Sequence, residues 1–178
     1  LRCHIVRGPE GKNAPDAELL LKLSQYDSAL IANEYGFNFP RGGNPLSPDT
    51  VSQANALLAN APQRELPKLM AIVGDALWSG DDAEFATLVG KLGCASPEDT
   101  EARLSEATNL RAQLKHYSSA MFHYEGEWYW GIDRLHYLEA RLAELGADRH
   151  PDQPCITQCP EVSLEGVDNA SDLTLEFF

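Results

Sequence analysis

SAMFHYEGEWYWGIDRLHYLEARLAEL, residues 119–145, sets two aromatic-rich runs and a leucine-spaced helix in immediate succession. Residues 121–124 and 128–130 are β-prone and are joined through Glu125-Gly126, a loop that suits a primed turn because glycine accepts φ > 0. An antiparallel hairpin is the expected result. Asp133 stands where a helix N-cap belongs. Leu135, Leu138, Leu142 and Leu145 then recur at helical spacing until Gly146 supplies the stop.

The same residues resemble the end of the DsbA-like branch of the thioredoxin superfamily, which holds the 2-hydroxychromene-2-carboxylate isomerases and the kappa-class glutathione transferases. The family's D-G-E-like turn, aromatic-tryptophan-glycine run and G-x-D-R-(L/F) helix start are matched by Glu125-Gly126-Glu127, Tyr129-Trp130-Gly131 and Gly131-Ile132-Asp133-Arg134-Leu135. Upstream, EYGFNFPRGGNPLSPDTVSQANALLA, residues 34–59, is similar to the segment that leads into the family's helical insertion. The resemblance spans most of residues 1–145.

It implies an α/β fold, helix-rich overall: a thioredoxin-like mixed sheet carrying a helical insertion domain. Residues 1–15 and 115–146 would form the core and 16–114 the insertion. Residues 147–172 would be a linker, and 173–178 a strand like the first of a thioredoxin-like module. Residues 1–6 alternate apolar and polar and would be the second strand of the core. The opening strand and the S-P-Y-S or C-x-x-C turn that precede it in the family are not found in the 178 residues, and there is no initiating methionine, so the expectation is a processed or truncated product with an incomplete active site.

The implied activity is that of a thiol- or glutathione-dependent oxidoreductase, isomerase or transferase. Its partners would be a small-molecule or protein thiol and a second subunit in a homodimer. No cofactor belongs to this chain alone; glutathione enters by resemblance. The positions the resemblance assigns to its binding are Asp133 and Ile132 at the helix start and Ser119 and Ala120 ahead of the hairpin, where the family has Val-Pro with a cis bond. A cis bond before a non-proline residue costs about 3 kcal/mol, so the ligand-clamping edge is expected to be lost at Ala120. Ile132 replaces a residue that is often polar in the glutathione-using relatives. Asp133 reads first as a plain N-cap, worth about 1 kcal/mol. The isolated chain is therefore expected neither to reduce insulin disulfides nor to bind glutathione appreciably. A non-catalytic binding or dimerisation module that kept the scaffold and lost the clamp is the competing reading.

The middle of the chain reads as capped amphipathic helices. Residues 16–35 place Leu19, Leu20, Leu23, Tyr26, Leu30 and Ile31 on one stripe that stops at Gly36. Ser47-Pro48 and Ser96-Pro97 are cap-plus-proline starts. Helices from Pro67 and over residues 82–92 lie between them, with Leu104, Ala107, Leu110 and Leu114 facing inward from the last.

The net charge of −13, from 27 acidic and 14 basic residues, argues against nucleic acid and against an anionic membrane surface, both of which need clustered Lys and Arg. No apolar run reaches the length of a membrane span. Cys155 and Cys159 form a C-x-x-x-C pair near His150, but only three nearby candidate ligands and no second pair argue against a metal; a flexible disulfide or two free thiols fits better. Cys3 and Cys94 read as small apolar residues. Four cysteines without framework spacing favour a reducing, cytoplasmic setting. Residues 173–178, LTLEFF, are β-prone, and are expected to fill a gap in the sheet beside residues 1–6 and 120–124, within one chain or by exchange between two.

Overall fold

The computed structural model describes residues 2–8 and 16–157. Cys159, most of the linker and the run 173–178 lie outside them. Six α-helices and one two-stranded antiparallel sheet make up the regular structure among the described residues: α1 (Ala17–Glu34), α2 (Pro48–Asn60), α3 (Leu66–Ser79), α4 (Asp82–Leu92), α5 (Pro97–Gln113), β1 (Met121–Tyr124), β2 (Glu127–Trp130) and α6 (Leu135–Glu144). The chain divides into two compact units, Leu1–Trp128 and Tyr129–Phe178, with the boundary inside β2.

Local chemistry accounts for the helix ends of the first unit. Asp16, Ser47, Asp81 and Ser96 each cap a helix by accepting the amide three residues on, and proline occupies the first turn of α2, α3 and α5. Helices α2 to α5 enclose the core, in which Leu57 and Leu66 are essentially inaccessible and Ala54, Leu58, Val73, Ala76, Leu77, Phe85 and Leu104 pack around them. Arg103 Nη1 donates to the carbonyls of Ala59 and Ala61 at 2.6 and 2.8 Å, satisfying acceptors that the end of α2 leaves open.

The hairpin forms as the turn residues require. Glu125 and Gly126 take φ of +50° and +89°, a primed turn between β1 and β2.

Several expectations need correction. Residues 2–8 form no strand. A strand needs a paired neighbour, and this segment instead serves the helices: Ile5 enters the core, Cys3 packs against it, and the Cys3 carbonyl accepts from Gln63 Nε2 at 2.8 Å. The sheet among the described residues is the antiparallel pair β1–β2, and the run 173–178 expected to extend it lies outside them. The leucine stripe of α1 faces outward, with Leu19, Leu23, Tyr26 and Leu30 all more than half exposed, and Val51 of α2 is exposed too. Cys94 is exposed in the turn after α4 rather than acting as a buried apolar residue. Trp130, the last residue of β2, is 57% exposed.

Candidate functional site

The sequence-predicted positions fall in different compact units. Ser119 is half-buried, and Ala120, immediately ahead of β1, is exposed and sits at φ +54°, a left-handed conformation unusual for alanine. In the second unit, Asp133 is not an N-cap. Ile132–Arg134 form a 3-10 turn, α6 begins behind Arg134, and that helix has no side-chain cap. Asp133 folds back instead: its Oδ1 lies 2.7 Å from where a Cβ on Gly131 would be, and its Oδ2 accepts from Arg134 Nε at 3.3 Å. Gly131, at φ +78°, leaves the space this carboxylate uses. Ile132 is half-buried in the same turn.

A different place in the first unit gathers chemistry. At the end of α5 a groove of about 610 Å³ is lined by Arg7, Thr108, Arg111, Lys115, His116 and Tyr117, among others. Three of these are cations in a chain of net charge −13. Arg111 is only 9% exposed, yet among the described residues it has no carboxylate partner. Its Nη1 donates to the carbonyls of Arg7 and Ser118 at 2.8 and 3.1 Å. Arg7 pairs with Glu101, whose carboxyl is held below the usual range by the hydrogen bond from Arg7 first and that from Ser105 second. The Thr108 hydroxyl is buried without a hydrogen-bond partner among the described residues.

Lys115 reaches the groove from a strained backbone. The amides of Lys115 and His116 donate to the carbonyls of Ala112 and Arg111 at 3.0 and 3.1 Å, closing α5 with a Schellman motif whose left-handed residue is Lys115, at φ +67°. Helices α1 and α6 end with the same pattern, but with Gly36 and Gly146 in that place. His116 Nδ1 accepts from the Ser118 amide at 3.1 Å, which places the ring proton on Nε2. The imidazole lies against Tyr117 and Trp128, with ring centroids 5.2 and 4.7 Å away, and Trp128 Nε1 donates to the Leu114 carbonyl at 3.0 Å. The wall is thus fixed by packing and hydrogen bonds.

Sequence reasoning assigned these residues no role. A Lys where a glycine would end α5 was the available signal. Among the described residues no group of His, Cys, Asp and Glu could hold a metal ion, and no helix is long and apolar enough to cross a membrane. Comparison with protein-family models, curated proteins and solved structures finds no match to this chain.

Proposed function

We propose that the chain is a binding module of DsbA-like, thioredoxin-superfamily descent that takes a small anion in the groove at the end of α5. The buried Arg111 guanidinium carries this reading. A buried charge costs several kcal/mol unless it is compensated, and the two carbonyls on Nη1 supply dipoles but no counter-charge. A bound carboxylate or phosphate would supply it, and the planar fork of arginine suits either group. Lys115 adds a second cation and the Thr108 hydroxyl a further polar group.

Glutathione, with its two carboxylates, is the candidate ligand that the resemblance suggests. This departs from the expectation that the isolated chain does not bind glutathione appreciably, which rested on the lost clamp at Ser119 and Ala120 and on Ile132 beside Asp133 and took no account of the groove. Calorimetric titration of the whole chain with glutathione, S-methylglutathione and inorganic phosphate tests the reading. At least one should bind saturably, more weakly as salt rises, with about a tenfold loss for Lys115→Glu, the effect of about 1.4 kcal/mol, and none for Asp133→Ala. Absence of saturable binding by all three, or binding indifferent to Lys115→Glu, would refute it.

A second reading is the thiol- or glutathione-dependent oxidoreductase or isomerase, with its nucleophile supplied from outside these residues. The succession β1, β2, 3-10 turn and α6 over the segment that resembles the family favours it. Glutathione binding that is lost in Asp133→Ala and kept in Lys115→Glu would decide for it.

A further inference from the structure

Helix α1 turns its small and polar side toward its own chain. Gln25 Nε2 donates to Asn44 Oδ1 at 3.1 Å, and Ala32 is buried. Gln25 and Ser28 crowd Gly43 so closely that a Cβ there would come within 2.8 Å of Ser28 Oγ. On the opposite side of the helix, Leu19, Leu23, Tyr26 and Leu30 are 61%, 62%, 69% and 53% exposed.

Their spacing of four, three and four residues is that of the a and d positions of a heptad. That seam is the pattern of a coiled coil, and Leu20, at the neighbouring e position and 38% exposed, widens it on one side. With Leu23 and Leu30 at a, and Leu19 and Tyr26 at d, Lys22 takes a g position while Asp27 and Glu34 take e positions. In a parallel pair, g of one helix faces the following e of the other. Each Lys22 would therefore meet the Asp27 of the other copy, twice by symmetry. An antiparallel pair would set e against e, acid against acid. Among the described residues of one chain Lys22 holds only Glu18, at 2.7 Å, in an exposed pair one turn away that a second helix displaces easily.

We infer that α1 is a dimerisation helix, pairing in parallel with α1 of a second copy through Leu19, Leu23, Tyr26 and Leu30, with its register set by Lys22 and Asp27. This is independent of the groove reading.

Sedimentation velocity on the whole chain over a concentration series tests it. The unaltered chain should form dimers, and Leu23→Glu should be monomeric with an unchanged far-ultraviolet circular dichroism spectrum, because Leu23 is 62% exposed in the single chain. Lys22→Glu and Asp27→Lys should each weaken dimerisation by about tenfold, as an effect of about 1.4 kcal/mol does. Mixed in equal amounts, these two variants should form a heterodimer at least as tight as the original, since every g–e pair is then attractive. A chain that stays monomeric, a dimer that survives Leu23→Glu, or a mixture no tighter than its components would overturn the inference. Should Leu23→Glu fail to fold, the two exposed charge variants and their mixture decide alone.

Discussion

Arg111 Nη1 donates to the Ser118 carbonyl at 3.1 Å, and the same nitrogen reaches the Arg7 carbonyl at 2.8 Å, so one buried guanidinium holds the N-terminal segment and the approach to the hairpin together. Arg111→Met keeps most of the side-chain volume but strands both acceptors. A loss of about 2 kcal/mol in urea unfolding is expected. A stability equal to that of the unaltered chain would mean that these carbonyls find water, and that Arg111 serves ligand binding alone.

Lys115→Gly should separate stability from binding. Glycine removes the left-handed penalty at φ +67°, worth about 1 kcal/mol, and with it a groove cation. The expected variant melts higher than the original and binds the anion more weakly. This is the trade that backbone strain at a functional position implies. Lower stability on making the change would contradict the reading of the α5 terminus.

Two aspartates at helix starts should respond differently to alanine. Asp81 accepts the Glu84 amide at 2.8 Å, so Asp81→Ala should cost about 1 kcal/mol. Asp133 caps no amide, and its contact with Arg134 is a half-exposed ion pair between neighbours, so Asp133→Ala should cost only a few tenths of a kcal/mol. Equal losses in chemical denaturation would restore Asp133 to the role that its sequence position suggested.

The fourth test concerns pH. Glu139 on α6 receives the Thr157 hydroxyl and the amides of Ile156 and Thr157, the amides each at 2.8 Å, and these hydrogen bonds, the hydroxyl's first, hold its carboxyl below the usual range. A lowered carboxyl pKa stabilises the folded arrangement in full above the unfolded value of about 4.3. The contribution fades as pH falls from there through the folded value. Amide exchange at Ile156 and Thr157, corrected for its intrinsic pH dependence, should accelerate on acidification through that window. In Glu139→Gln the amides should be weakly protected throughout, with no acid transition. Protection that ignores pH in the unaltered chain would show that Glu139 does not hold this segment.

Helix limits and the hairpin were legible in the sequence because their causes are local. A cap such as Ser47 or Ser96 serves an amide three residues away, and Glu125-Gly126 dictates its turn without help from the rest of the chain. Asp133 shows where locality ends: the residue type was right for a cap, but Gly131 opened space for its carboxylate and a 3-10 turn used the position instead. Periodicity found the stripe of α1, yet whether a stripe faces a core depends on what surrounds it, and here Gly43 and Asn44 engage the other side. Residues 1–6 looked like a strand, but among the described residues no strand lies beside this segment and the helices took Ile5. The groove was wholly a matter of tertiary structure. Arg7 and Arg111 stand 104 positions apart, and only the packing of the N-terminal segment beside α5 brings the carbonyl of one to the buried guanidinium of the other.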